Sequence, residues 1–283
     1  MVRPIHLRFL GLPGSGKSTA AALLYACLVD RASATPPVVR YYMDVDNLRA
    51  ASSLFRRAVS TPPGTSVEGP DGFSLSFEDT AHSSGKGSRE DEGIPLRVDT
   101  QSLSASEGDA ASLSWPSHEA VSAKGPTLVA NLWVLDSGQL LKPGEELRII
   151  ASALRSLPSP PKESRWHGRT DTGPVNFLLL TKWDLWEGLD LPIGYGQLVP
   201  PPSPSDARAR QNLFSNLLTR AGANDAPTGP LLPVPLQFAM VFSGRSSTSN
   251  ETRQGTAFER FLTPYTVSEY TALLTWLAGA ARD

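Results

Sequence analysis

The residues best suited to do chemistry stand close to the start of the chain. Gly11-Leu12-Pro13-Gly14-Ser15-Gly16-Lys17-Ser18, followed by Thr19, matches the spacing G-x-x-x-x-G-K-[ST] at every fixed position. Glycines at Gly11, Gly14 and Gly16 let successive backbone N–H groups turn inward around phosphate oxygens, with the small Ser15 between them. Lys17 adds a point charge for β- and γ-phosphates, and the hydroxyl of Ser18 is the ligand expected for Mg²⁺. The pattern implies a nucleotide site, but ATPases, GTPases and small-molecule or nucleoside kinases all use such a loop, so it leaves the reaction open.

A second group lies at Thr181-Lys182-Trp183-Asp184, directly after the apolar run Val175 to Leu180. It resembles the [NT]-K-x-D element of the Ras-like, translation-factor-related GTPases. The resemblance implies that Asp184 recognises guanine, that the Lys182 stem covers the base and that Thr181 ties its loop to the phosphate loop. The chemistry agrees: one carboxylate accepts from both N1–H and the 2-amino group of guanine, whereas adenine has an acceptor at N1 and no 2-amino group. Farther on, Ser243-Gly244 in Phe242-Ser243-Gly244-Arg245 resembles the short S-A-x loop of the same family, whose backbone N–H contacts guanine O6. The three elements occur in the family's order. The resemblance implies a GTP-binding protein that hydrolyses GTP to GDP with Mg²⁺ and switches its loops with nucleotide state. Its long insertions make it look most like divergent bacterial and archaeal members of that class.

The family also requires an aspartate at the end of its third strand, to hold Mg²⁺ through water. Asp99-Thr100-Gln101-Ser102, after Ile94 to Val98, is the expected place, with Asp136-Ser137-Gly138-Gln139 as the rival. Ser102 stands where the family has a glycine, and Leu103 where a Ras-like enzyme has its water-orienting glutamine, so intrinsic hydrolysis is expected to be slow. Gln101 and Gln139 are the available substitutes. Thr65, in preference to Thr61 and Thr80, is the expected switch threonine on Mg²⁺, and Arg56 and Arg57 are the arginines that could serve the γ-phosphate in cis. The expected metal set is thus Ser18, Thr65 and Asp99. The alternatives are a kinase acting on a small molecule or nucleoside, and a nucleotide-binding scaffold without turnover.

These residues need elements to hold them. Ile5 to Leu10 alternates like a strand running into the glycine loop, and Ser18 to about Arg31 carries Leu23, Leu24, Cys27 and Leu28 at helical spacing. A second helix is expected at about 46–59, and further strands at 73–77, 94–98, 128–135, 175–180 and 236–242. Helices are expected over Leu147 to Leu157, behind the 128–135 strand, from Asp206 to Ala221 with Gly222 at its end, and opening with the capping sequence Thr266-Val267-Ser268-Glu269. This predicts one α/β domain of the P-loop NTPase type over residues 1–283: a mainly parallel six-stranded sheet with helices on both faces. Loop-rich insertions are expected at about 60–93, 100–126, 157–174, 187–205 and 245–263.

Composition narrows the partners. The 283 residues are 40% hydrophobic, enough for a sizeable core, and a net charge of −2 supplies no cationic field for nucleic acid. Cys27 is the single cysteine and His6, His82, His118 and His167 are scattered, so no intramolecular disulfide or Cys/His zinc site is expected. No run approaches the roughly 18 apolar residues of a membrane span. A cytoplasmic protein with a protein effector or activating partner, or a second copy of itself, is the resulting expectation.

Overall fold

The computed structural model describes residues 2–34, 37–60, 72–80, 93–103, 127–136, 175–181, 236–241 and 264–282. Its elements are β1 (Ile5–Gly11), α1 (Lys17–Ser33), β2 (Val39–Tyr42), α2 (Val45–Ser60), β3 (Gly72–Asp79), β4 (Ile94–Ser102), β5 (Leu128–Asp136), β6 (Val175–Thr181), β7 (Leu236–Val241) and α3 (Pro264–Arg282). The strands form one α/β sheet in the order β2-β3-β4-β1-β5-β6-β7. β4, β1, β5, β6 and β7 are parallel, whereas β2–β3 and β3–β4 pair antiparallel.

Two expectations change here. The sheet has seven strands instead of six, because Val39-Arg40-Tyr41-Tyr42 adds an edge strand, and it is mixed at that edge. β4 also runs three residues past Asp99, to Ser102, so residues 100–102, expected within an insertion, are strand.

α1 occupies the centre of the core. Every residue from Ala20 to Leu28 is buried, which is the signature of a helix covered on all sides. Its alanines allow close approach: the Tyr270 hydroxyl of α3 donates to the Ala20 carbonyl at 2.7 Å, and the Cys27 thiol meets the Val267 carbonyl at 3.8 Å. Tyr25 stands edge-on to Phe73 of β3 and contacts Ser52 of α2 through its hydroxyl. Trp276 of α3 meets Phe177 of β6 in the same way, so α1 and α3 cover one face of the sheet, lined by Leu7, Phe9, Val98 and Leu132. Fully burying each such side chain stabilises the fold by about 1.5–3 kcal/mol. On the opposite sheet face, Leu10, Asn131 and Trp133 are buried too. The helices expected near 147–157 and 206–221 lie outside the described residues.

α2 starts where the Asp44 carboxylate accepts from the Asn47 backbone N–H at 2.7 Å, a side-chain cap on its first turn. α3 starts at Pro264, a residue suited to the first helical position because its missing N–H has no helical acceptor to lose. Among the described residues, no helix is long and apolar enough to cross a membrane.

Candidate functional site

β1 is the point where the chain's path through the sheet reverses. The chain leaves it toward β2, β3 and β4 on one side, then crosses to β5, β6 and β7 on the other. In open α/β sheets such a reversal leaves a crevice at the carboxyl ends of the strands, where ligands bind. The glycine loop stands at that end of β1.

The loop is tightly wound. Ser15 N–H donates to the Leu12 carbonyl at 3.2 Å, and Gly14 and Gly16 hold φ of 81° and 94°, a region disfavoured for any residue with a Cβ. Gly16 is also the N-cap of α1 and makes no side-chain cap, so the first turn of α1 presents the positive end of the helix dipole without a capping side chain. That is an anion site in its own right. The Lys17 ammonium is buried and donates to the Leu12 carbonyl at 2.6 Å, folded over the loop that it would share with a phosphate. The Ser15 hydroxyl is wholly buried with no hydrogen-bond partner among the described residues. Ser18 and Thr19, on the same turn, are partly exposed.

Thr181 closes β6 against this loop. Its hydroxyl donates to the Ser15 carbonyl at 2.6 Å, across 166 residues of sequence, and it is 1% exposed. A Cβ on Gly16 would lie 3.3 Å from three Thr181 atoms, so the glycine serves this contact as well as its own backbone angle. The strand that leads into Thr181-Lys182-Trp183-Asp184 is therefore fastened to the glycine loop. Lys182, Asp184, Ser243, Gly244, Thr65 and Gln139 lie outside the described residues.

Asp99 departs from expectation. It is paired with Arg8 in register, while Ser102 is the residue level with Gly11. At about 3.3 Å per residue that sets Asp99 roughly 10 Å short of the loop. Its carboxylate instead receives His6 Nε2 at 2.6 Å and Arg97 Nε at 2.8 Å. Burial pushes the Asp99 carboxyl up, but the hydrogen bond from His6 and the charge of Arg97 outweigh it and hold the group below its ordinary range. Beside it, burial pulls the Arg8 guanidinium down against the opposing pull of Asp99, and Arg8 Nε donates to Asn131 at 3.0 Å. Alternation of polar residues on β1 and β4 was the available signal for this cluster; the pairing itself joins residues 93 apart.

Gln101 is likewise within β4, level with Leu10, instead of in a loop. Leu103 is buried and its N–H donates to the Gly11 carbonyl at 2.9 Å, so the residue at the glutamine position packs against the loop's first residue. Thr80 donates to the Pro37 and Val38 carbonyls at the opposite end of the sheet, which removes it as a switch threonine. Arg56 is exposed on α2.

A hard divalent cation takes oxygen donors and keeps several waters. Ser18, partly exposed on the first turn of α1, supplies such an oxygen; Asp99, engaged by two nitrogen donors, does not accompany it. Asp136 ends β5 level with Thr181 and is partly exposed. No protein-family model and no curated protein matches this chain.

Proposed function

We propose that this chain binds guanine nucleotides at the Gly11–Thr19 loop and hydrolyses GTP to GDP with Mg²⁺ in a Ras-like P-loop domain, as a nucleotide-dependent switch. The observation that carries the reading is the Thr181–Ser15 hydrogen bond, because it fastens the strand leading to a T-K-x-D sequence onto a loop shaped for phosphate. Two motifs so distant in sequence, arising by chance, would not need to meet.

The work divides among the residues. The amides of Ser15 to Thr19 and the α1 dipole hold the phosphates, and Lys17 exchanges the Leu12 carbonyl for a phosphate oxygen. Mg²⁺, when bound, neutralises charge on the β- and γ-phosphates; Ser18 is its protein hydroxyl. Asp184 accepts from the guanine edge, Lys182 covers the base, and Ser243-Gly244 meets O6. Leu103 orients no water, so an effector or activating protein, or a second copy of the chain, completes the site for fast turnover. Ser102 and Leu103, at the positions where the family has its glycine and glutamine, favour one further reading, a scaffold that holds GTP without cleaving it.

Binding of fluorescent GTP to wild type and Lys17→Ala tests the core of this. Loss of binding in a folded Lys17→Ala protein is expected. Equal binding by both would overturn the assignment of the loop.

A further inference from the structure

We propose that the Arg8 guanidinium, on the sheet face opposite α1, anchors a second binding site, one that takes a single carboxylate. The pairing of β1 with β4 gathers the polar side chains. Arg8 is level with Asp99, and His6 is level with Arg97. Side chains two residues apart on a strand share a face, so all of these lie on the face of Leu10, Asn131 and Trp133. The glycine loop begins three residues after Arg8, about 10 Å farther along β1.

Asp99 is already engaged within this patch. Its Oδ2 accepts from His6 Nε2 at 2.6 Å and from Arg97 Nε at 2.8 Å, and not from Arg8 beside it. Arg8 is half-buried, and its hydrogen bond runs from Nε to the Oδ1 of the wholly buried Asn131, at 3.0 Å. Its two Nη nitrogens, which carry four N–H donors, have no hydrogen bond or ion pair among the described residues. A guanidinium held by a neutral amide has given up water without gaining an opposite charge, and charges so placed are ordinarily paired.

The form of the donors selects the ligand. With Nε engaged, the open end of the fork is its Nη pair, whose N–H groups match the two oxygens of one carboxylate. Charge sets the count. Arg8 and Arg97 carry two positive charges against the one negative charge of Asp99, so one further negative charge balances them, and a dianion would be repelled by Asp99. The patch opens toward β3, where Gly72 is level with Asp99 and Ser74 with Arg97. A Cβ on Gly72 would lie 2.6 Å from Asp99 Oδ1, so the glycine keeps that side uncovered, and Ser74 and Arg97 are exposed.

The test is nuclear magnetic resonance of the full chain, following the arginine side-chain N–H signals as anions are added at constant ionic strength, with sodium chloride as the reference. The probes are sodium acetate, the tripeptide Gly-Glu-Gly blocked at both ends, and inorganic phosphate. Acetate and the peptide are expected to move the Arg8 and Arg97 signals saturably, and phosphate is expected to bind more weakly. Arg8→Lys keeps the charge and loses the fork, and is expected to weaken acetate, read at Arg97, at least about tenfold. Acetate bound as tightly as the peptide supports a site for a free small carboxylate; a peptide bound more tightly supports one for an acidic side chain of a protein. Shifts no different from those in chloride, phosphate bound as tightly as acetate, or undiminished acetate binding by Arg8→Lys overturns the proposal. None of these outcomes depends on nucleotide binding.

Discussion

Thr181→Val removes one hydroxyl and keeps the side-chain shape, so it removes the bond between β6 and the glycine loop. The bond is short, 2.6 Å, and buried, and its loss leaves the Ser15 carbonyl without that donor. A buried acceptor deprived of its partner costs about 1–3 kcal/mol. For a domain of this size each kcal/mol shifts the melting temperature by about 2–4 °C, so a fall of about 2–12 °C is expected. The loop's bound shape should suffer as well: if about 1–2 kcal/mol of the tie supports that shape, GTP affinity drops about 5- to 30-fold. Thr181→Ser is the control, because it keeps the hydroxyl and loses the methyl beside Gly16, about 0.8 kcal/mol of burial. Urea unfolding and titration of fluorescent GTP are the assays. Thr181→Val with wild-type affinity, or Thr181→Ser as weak a binder as Thr181→Val, would refute the claim that this bond shapes the site.

The remaining expectations are quicker to state. Tyr270→Phe removes the buried hydroxyl bonded to Ala20 and should cost about 1 kcal/mol in denaturant unfolding without changing nucleotide affinity. Asp99 is held below its unfolded value, so its stabilisation is present above about pH 4 and is lost as pH falls through the lower folded value. Asp99→Asn should therefore flatten the loss of stability as pH falls below about 4, and an unaltered acid limb would contradict the His6–Asp99–Arg97 cluster. Single-turnover hydrolysis by the lone chain should sit near the unassisted end of the roughly 10⁵-fold range between bare and partner-activated small GTPases, given Leu103 at the glutamine position. A rate of several per second would return catalysis to Gln101, Gln139 or an arginine in cis.

How much a sequence reveals depends on the range of the forces involved. The glycine loop is legible as a strand-to-helix turn because its signals are local: glycine freedom, a lysine and a hydroxyl at fixed spacing between β1 and α1. α2 is legible to within a residue at each end, since an amphipathic face repeats along 16 residues. β2 escapes sequence reading because it is four residues long, follows Pro36-Pro37 and has only Val39 buried. The alternation Phe73, Leu75, Phe77 marks β3 as a strand, but alternation carries no information on direction, and its antiparallel pairing with β4 comes from tertiary contact. Asp99 looks like a strand end because carboxylates are depleted inside strands. Its partner His6 lies on β1, and no local pattern announces a pairing between strands that far apart in sequence.

The central claim is recognition of guanine by a site whose phosphate half is built on β1 and α1. Competition of unlabelled GTP, ATP and XTP against a fluorescent GDP analogue, in Mg²⁺, tests it most directly. GTP should displace the probe and ATP should need at least about 10²-fold higher concentration, with Asp184→Asn shifting preference from GTP toward XTP. Displacement by ATP as effective as by GTP would contradict the claim before any variant is made.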